Sequence, residues 1–224
     1  MKDMTKEERQ ARIARNVAAI IDADERFSVI NLGVGIPTQV ADYLKRKDVF
    51  VMAENGILGA GHVAVGEEIH PDLINAGRQP IVEEPGCSYC DSATAFGLIR
   101  GGHIGATVLG AFEVDENADV ANWIIPGGKQ LGVGGAMDLV SGAKRVIIAM
   151  THLSKTGTKL VKKCSLPVTS RGTVSMVVTE FAVFAFEGGI LVLKKIAPEI
   201  TREELRSITD IDYLEDADIQ TMVC

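Results

Sequence analysis

One carboxylate stands where open α/β sheets commonly place their ligands. Glu54 follows the apolar run 49–53 and directly precedes Asn55 and Gly56, within the segment VFVMAENGILGAG. An Asn-Gly pair favours a tight turn, and the carboxyl end of a strand is the usual ligand position in an open parallel sheet. The spacing allows two interpretations: a nucleophilic or ligand-binding glutamate, or an ordinary glutamate that ends a strand before a turn.

A glycine-rich segment, IPGGKQLGVGGAMDL at residues 125–139, is the second candidate. It follows an apolar run, and its glycines would let a ligand come close to bare backbone amides. The alternative is a flexible surface loop. Apolar side chains within the segment favour a packed loop: Leu131, Val133, Ala136 and Met137.

The sequence motifs for nucleotide binding are incomplete. After the first apolar run, GVGIPT has two glycines of a dinucleotide fingerprint, but Thr38 stands where the third glycine belongs. A GxxxxGK[ST] phosphate loop is missing from the sequence. Nicotinamide and nucleotide-triphosphate chemistry are therefore disfavoured.

Cysteine and histidine patterns give no metal site. Cys87 and Cys90 form one CxxC, which would be half a zinc site or a redox pair. A second pair is lacking, because Cys164 and Cys224 are isolated, so two ordinary thiols are the favoured interpretation. Four histidines show no ligand or triad spacing and are interpreted as surface or hydrogen-bonded core residues: His62, His70, His103 and His152.

Composition narrows the class of protein. The chain has 224 residues, is 46% hydrophobic and carries a formal charge of −7. That charge disfavours nucleic acid and anionic membranes as partners. No run approaches the roughly 20 apolar residues of a membrane helix, and charges interrupt the N-terminal segment, unlike a signal peptide. Few cysteines in a chain of this length fit a reducing cytoplasm.

Local patterns predict alternating helices and strands. Thr5 and Glu8 have capping-box spacing, and Ile13, Val17, Ile20 and Ile21 fall on one helical face. Further elements are predicted from apolar runs, prolines, caps and glycines: a buried strand over 27–35, a helix from Pro37 carrying Val40, Tyr43 and Leu44, a strand over 48–54, mostly loop over 56–86, a helix over 91–102, strands over 104–109, 120–125 and 145–151, a hairpin around 187–189, and a helix from Thr201.

Together these elements predict an α/β fold. Strands that are unbroken apolar runs between helices indicate an open, mainly parallel sheet with helices on both faces. The pattern at 187–189 adds a C-terminal hairpin. Repeats, linkers and low-complexity segments are missing from the sequence, so we expect a single domain over 1–224.

In its motifs the sequence resembles the family I coenzyme A transferases, and in particular their second (beta) subunit of the acetoacetate or butyrate type. The resemblance runs along nearly the whole chain and includes NLGVGIPTQVADYL (31–44), the ENG motif at 54–56, HPDLINAGRQP (70–80), and long matches over 96–129, 132–150 and 177–184. One departure is Ala53, where the family usually has serine. The resemblance therefore implies a coenzyme A transferase-like fold.

It also implies roles for particular residues. Glu54 would be the nucleophile, and the backbone amide of Gly135 would donate to the oxyanion. The loop with Asn31, Gly33 and Gly35 would lie against the pantetheine arm of coenzyme A. The remaining residues assigned to the substrate and coenzyme A site are Arg78, Asn55, Gly56 and Gly134.

The implied reaction passes coenzyme A between a short-chain acyl-CoA (acetyl, butyryl or acetoacetyl) and a carboxylic acid, through a thioester on Glu54. Coenzyme A is then a substrate, and no metal or other cofactor is expected, because each attacking group is already an anion. An alpha subunit would complete the site in a hetero-oligomer. The same architecture also serves sugar-phosphate isomerases and ligand-sensing modules, which remain the alternative.

Overall fold

The computed structural model describes residues 4–128 and 132–224 of the chain. The strands are β1 (Val29–Leu32), β2 (Phe50–Ala53), β3 (Ile57–Val63), β4 (Ile81–Tyr89), β5 (Ala106–Leu109), β6 (Glu113–Asp115), β7 (Val120–Ala121), β8 (Val146–Ala149), β9 (Leu160–Val161), β10 (Met176–Val178), β11 (Ala182–Glu187), β12 (Ile190–Ile196) and β13 (Leu214–Thr221). The α-helices are α1 (Lys6–Asp22), α2 (Ser92–Arg100), α3 (Ala136–Gly142) and α4 (Arg202–Ser207).

Ten strands of the described chain form one sheet, in the order β13-β12-β11-β10-β8-β5-β1-β2-β3-β4. Its middle is parallel: β2, β1, β5, β8 and β10 pair in parallel with their neighbours in that order. Every residue of β5 and β8 is buried, so both faces of the sheet are covered there. The predicted α/β fold with a mainly parallel sheet is confirmed.

Antiparallel strands extend the parallel middle on both sides. On one side β3 and β4 continue the sheet, and on the other side β11 and β12 form the predicted C-terminal hairpin. A smaller sheet contains β7, β6 and β9 in that order. On the β2 side, β3 begins beside the carboxyl end of β2, because Ala53 pairs with Ile57.

Helix α1 begins where the sequence predicts. The Thr5 side chain accepts from the Glu8 N–H at 3.1 Å, and the Glu8 carboxylate accepts from the Thr5 N–H at 2.7 Å. This reciprocal cap satisfies two amides that have no partner within the helix. Ile13, Val17 and Ile21 are fully buried, and α1 packs on β8, β10 and a 3-10 helix. The helices at 91–102 and from Thr201 are confirmed as α2 and α4.

The prediction of mostly loop over 56–86 missed two strands. The segment contains β3 and most of β4, which pair antiparallel with each other and extend the sheet from β2. The glutamates and Pro85 of β4 are residue types that favour a loop. However, β4 is an edge strand, where a residue without an N–H can be accommodated. Sequence patterns that identify buried strands do not identify an exposed edge strand.

Smaller corrections concern element type and length. The helix from Pro37 is a 3-10 helix over Pro37–Tyr43, with Val40 buried. The strand predicted over 120–125 is only Val120–Ala121 and belongs to the small sheet. Strands β6, β9, β10 and β13 were not predicted. In the described part of the chain, no helix has the length and apolar character needed to cross a membrane.

Candidate active site

Glu54 lies immediately after β2, at the carboxyl end of the parallel middle of the sheet. The tight turn predicted at Asn55-Gly56 is present: the Gly56 N–H donates to the Ala53 carbonyl at 2.9 Å. Gly56 has φ of +114°, and a Cβ there would stand 2.0 Å from the Cys90 carbonyl oxygen. Only glycine fits this position, so the turn that presents Glu54 depends on it.

Asn31 holds the Glu54 carboxylate. Its Nδ2 donates to Glu54 Oε2 at 3.1 Å and to the Met52 carbonyl at 3.1 Å. Its Oδ1 accepts from the Thr107 hydroxyl at 3.1 Å. The strand register explains the arrangement, because Asn31 pairs with Met52 on one side and with Thr107 on the other. Asn31 and Thr107 are fully buried, which makes these hydrogen bonds structurally costly to lose.

A cavity of about 420 Å³ opens beside Glu54. Its size falls in the usual range for small-molecule sites, ~300–1,000 Å³. The walls come from the loop after β1, the 3-10 helix, β2, β3 and the turn before β4. They include Gly33, Gly35, Thr38, Glu54, His62, Asn75 and Gln79. Asn31 supports Glu54 from behind and does not line this cavity.

The loop after β1 is packed at Gly33 and exposed at Gly35. The Gly33 N–H donates to the Val108 carbonyl at 2.9 Å, and a Cβ on Gly33 would stand 3.0 Å from Leu109 Cδ2. Gly35 has φ of +97°. The Thr38 hydroxyl, at the position where a dinucleotide site would have its third glycine, donates to the Gly33 carbonyl at 3.0 Å. Gly33 and Gly35 therefore present backbone along one side of the cavity, with Gly33 packed and Gly35 exposed.

Gly135 lies next to Glu54, although the two are far apart in the sequence. A Cβ on Gly135 would stand 3.4 Å from Glu54 Cγ and 3.3 Å from Phe96 Cζ. Gly135 is buried and is the N-terminal cap residue of α3. An ion pair between Arg100 and Asp138, at 2.7 Å, joins α2 to α3 and helps to place this cap.

The rest of the glycine-rich segment is only partly packed. Val133 and Ala136 are half-buried, whereas Met137 is exposed. Gly134 is exposed with φ of +52°. Leu131, part of the packed-loop prediction, lies outside the described residues. The prediction is right for the end of the segment that approaches Glu54.

Arg78 and Asn55 are sequence neighbours of cavity residues but do not line the cavity themselves. Arg78 is exposed, has φ of +64°, and belongs to the turn closed by the hydrogen bond of its N–H to the Asn75 carbonyl at 2.9 Å. Gly77 and Gln79 line the cavity, whereas Arg78 does not. Asn55 Nδ2 donates to the Ile74 carbonyl at 2.8 Å, so it joins the Glu54 turn to this second turn.

Comparison with known proteins agrees with this geometry. The family model described as coenzyme A transferase matches residues 21–207. The chain belongs to the coenzyme A transferase family. It is 46% identical over 213 residues to the beta subunit of acetate CoA-transferase of Escherichia coli K12, covering 94% of this chain and 95% of that one. It is 44% identical over 210 residues to a subunit of a probable succinyl-CoA:3-ketoacid coenzyme A transferase of Bacillus subtilis, covering 93% and 95%.

A solved structure shows the same fold. Glutaconate coenzyme A-transferase from Acidaminococcus fermentans matches with a TM-score of 0.74 at 19% identity, over 99% of this chain and 91% of that one. At this identity the likeness concerns the fold alone. None of these comparisons supports the isomerase or sensor alternative for this coenzyme A transferase chain.

Ala53, where the family usually has serine, has an apolar environment. Its side chain is 6% exposed and belongs to a small cluster with Ile57, Ala60 and Ile81. The carboxylate of Glu54 receives its hydrogen bond from Asn31 instead. The departure from the family motif therefore leaves Glu54 with a side-chain donor.

Of the thiols and histidines in the described chain, His62 alone lines the cavity. Burial, followed by the charge of Glu83, raises the pKa of the Cys87 thiol, which makes it less reactive. Among the described residues, no group of three His, Cys, Asp or Glu side chains could hold a metal ion. His62, His70 and His103 are at least partly exposed, and His152 is buried against the hydroxyls of Thr179 and Thr209, as predicted for surface or core histidines.

Sequence reasoning missed two features of the site. Thr107 was not singled out, although a polar residue inside the apolar strand ATVL is a usable signal, as Asn31 is within VINL. The wall formed by the turn at 75–79 was also missed, because its approach to Glu54 depends on the pairing of β3 with β4.

Proposed function

We propose that this chain is the catalytic beta subunit of an enzyme that transfers coenzyme A between a short-chain acyl-CoA and a carboxylic acid. The observation that carries the proposal is Glu54, held by Asn31 beside Gly135 at the edge of the cavity. The names of the relatives, which refer to acetate, succinyl-CoA and 3-ketoacids, support an acetyl group or a 3-ketoacyl group such as acetoacetyl as the acyl part. Butyryl is proposed from the sequence motifs alone.

The reaction needs only anionic attackers. A Glu54 carboxylate oxygen attacks the thioester carbonyl, the C–S bond breaks, and the sulfur leaves with the electron pair as the coenzyme A thiolate. The thiolate then attacks the glutamyl carbonyl of the anhydride, which releases the first carboxylic acid and leaves a glutamyl-CoA thioester. An incoming carboxylate reverses both steps. Coenzyme A is a substrate, because it is the group transferred. No additional cofactor is required, because each attacking group is already an anion and no step changes an oxidation state.

The geometry supplies what a weak nucleophile requires. The Asn31 donor fixes one carboxylate oxygen of Glu54, so the other oxygen is the one directed to the substrate. Gly135, where a Cβ would stand 3.4 Å from Glu54 Cγ, is the proposed source of an N–H for the oxygen that becomes negative during attack. A single donor of this kind contributes roughly 10²–10³ in rate. Gly33 and Gly35 offer backbone to the pantetheine arm, and the exposed Arg78, between the cavity residues Gly77 and Gln79, offers a positive charge to coenzyme A.

The direct test is capture of the intermediate. Incubating the assembled enzyme with acyl-CoA, and without acceptor acid, should leave coenzyme A attached to the peptide that contains ENGILG. Ping-pong enzymes accumulate this species because the first half-reaction is complete without acceptor. Peptide mass spectrometry locates the label. Attachment at a cysteine such as Cys87, instead of Glu54, would contradict the proposal.

An alpha subunit completes this enzyme in a cytoplasmic hetero-oligomer. The relatives are themselves named as subunits, one of them as a beta subunit, which supports a separate partner chain. We therefore expect the purified single chain to have little or no transferase activity, and co-expression with its partner to restore it. Coupled assays of the single chain and of the complex, at equal concentration of this chain, measure the difference in transferase activity. Turnover by the single chain at the rate of the complex would contradict this expectation.

A further inference from the structure

The buried hydroxyl of Thr107 is connected to Glu54 through a single side chain. Thr107 Oγ1 is 3.1 Å from Asn31 Oδ1, and Asn31 Nδ2 is 3.1 Å from Glu54 Oε2. Thr107 and Asn31 are both completely buried, so water cannot replace either partner. The three residues form a continuous line from β5 through β1 to the end of β2.

The partners of Asn31 determine the direction of these hydrogen bonds. The Met52 carbonyl and an ionised Glu54 carboxylate are both acceptors without a donor hydrogen. Both must therefore face the NH₂ group of Asn31. The Asn31 oxygen is then directed at Thr107, whose hydroxyl must donate to it. The Thr107 hydroxyl is the donor that satisfies Asn31 Oδ1 in this buried site.

We propose that Thr107 is a positioning residue of the transferase, which acts through Asn31 to hold the Glu54 carboxylate at its attack position. This inference rests on the proposed nucleophilic role of Glu54. Without the hydroxyl, Asn31 Oδ1 is a buried acceptor with no donor. The Asn31 side chain then rotates towards another donor and releases Glu54 Oε2. Thr107 does not line the cavity, so its effect is on the rate of attack and not on substrate affinity.

Two substitutions separate the hydroxyl from the shape of the side chain. Thr107→Val keeps the branched shape and removes the donor, whereas Thr107→Ser keeps the donor and removes a methyl group. In the complex with the alpha subunit, we expect Val to lower kcat by about 10- to 10²-fold, the cost of a misplaced catalytic group. We expect KM for acyl-CoA to change by less than about twofold, and Ser to stay within about threefold of wild-type kcat. A packing role predicts the opposite order, with Val closer to wild type than Ser.

A double-mutant cycle with Asn31→Ala tests whether the effect passes through Asn31. If it does, Thr107→Val has no further effect on kcat once Asn31 is alanine, whereas independent roles give multiplied losses. Should Thr107→Val fail to assemble, Thr107→Cys, a weak donor close in size to serine, replaces it and is expected to be slower than Thr107→Ser.

Single-turnover formation of the glutamyl-CoA thioester, followed by mass spectrometry, gives the rate of the step itself. Suppose that coenzyme A is found on Glu54 in the wild-type enzyme. If Thr107→Val then reacts at the wild-type rate, or Thr107→Cys is as fast as Thr107→Ser, the role of Thr107 is overturned and the role of Glu54 stands. Absence of coenzyme A from Glu54 in the wild-type complex overturns the nucleophile on which this role depends. A slow Val variant, an active Ser variant and a non-additive cycle support the inference.

Discussion

Glu54→Gln in the assembled enzyme should lose essentially all turnover, by about 10⁴-fold or more, because removal of a nucleophile abolishes the covalent pathway. Glutamine has nearly the same shape, and its side-chain oxygen can still accept from Asn31 Nδ2, which donates to Glu54 Oε2 at 3.1 Å. The turn after β2 should therefore keep its structure. What changes is the nucleophile: a neutral amide replaces an anionic oxygen. Steady-state kcat and thermal unfolding measure the two effects separately.

Shortening the same side chain gives a graded comparison. Glu54→Asp keeps the charge but withdraws it by one methylene, and a displacement near 1 Å can cost about 10²-fold in rate. Aspartate also moves away from Asn31, so it loses the donor that orients it. We expect the aspartate variant to be severely impaired and the glutamine variant to be slower still.

A matched control distinguishes an effect specific to position 54 from a general effect of replacing glutamate by glutamine. Glu116 is exposed, and its substitution by glutamine makes the same chemical change away from the cavity. Glu116→Gln should leave kcat unchanged. In the Glu54→Gln variant, the peptide with the substituted side chain must be checked by mass for reversion to glutamate, which would mimic activity. A Glu54→Gln enzyme with intact glutamine and wild-type turnover would exclude Glu54 as nucleophile.

Much of the fold was predictable because local signals agreed with the global architecture. Thr5 with Glu8 predicts the start of α1, and both hydrogen bonds of the cap are present. Four strands of the parallel middle, β1, β2, β5 and β8, lie in mainly apolar runs that predict buried strands, whereas β10 was not predicted. Edge strands carry less information: β4 contains Glu83, Glu84 and Pro85 and has no strand pattern in its sequence. That the chain is a single domain over 1–224 stays a prediction.

In the site, too, local features were predictable from the sequence and contacts between distant segments were not. Glu54 and its turn are local features, and the segment 49–61 contains the carboxylate, the Asn-Gly pair and the strand that presents them. The approach of Gly135 to Glu54 is not local, because it depends on the packing of α2 against α3. Resemblance to a family brought Gly135 to attention where spacing alone could not. Thr107 needed the register of three strands, since it contacts Glu54 only through Asn31.

Gly135 is the site of the second large effect, and alanine tests the space beside it. The backbone of Gly135 has φ of −81°, which alanine adopts without strain. Its Cβ would stand 3.3 Å from Phe96 Cζ, which must move by a few tenths of an ångström, and 3.4 Å from Glu54 Cγ, which is an ordinary contact distance. We expect Gly135→Ala to fold and to lose about tenfold in kcat, less than a full 1 Å misplacement costs.

Gly135→Pro removes the amide hydrogen as well and should cost a further ~10²-fold, the usual contribution of one oxyanion donor. A φ of −81° is close to the proline value of about −65°, and the first turn of a helix tolerates proline. Proline does constrain the preceding residue, Gly134, which has φ of +52°. Thermal unfolding and circular dichroism of the complex therefore accompany the rate measurement, with Gly135→Ala as the control for added bulk.

A backbone ester at Gly135 isolates the donor from every steric effect. Replacing the amide N–H by an ester oxygen, through chemical ligation of the chain, removes the hydrogen-bond donor without adding a Cβ beside Glu54 or a ring beside Gly134. Because the oxyanion forms only during attack, the loss should appear in the rate of glutamyl-CoA formation while KM for acyl-CoA changes little. The ester should be slower than wild type by roughly 10²–10³. If the ester and the folded proline variant both form the thioester as fast as Gly135→Ala, the amide of Gly135 is not the oxyanion donor, and its closeness to Glu54 serves packing alone.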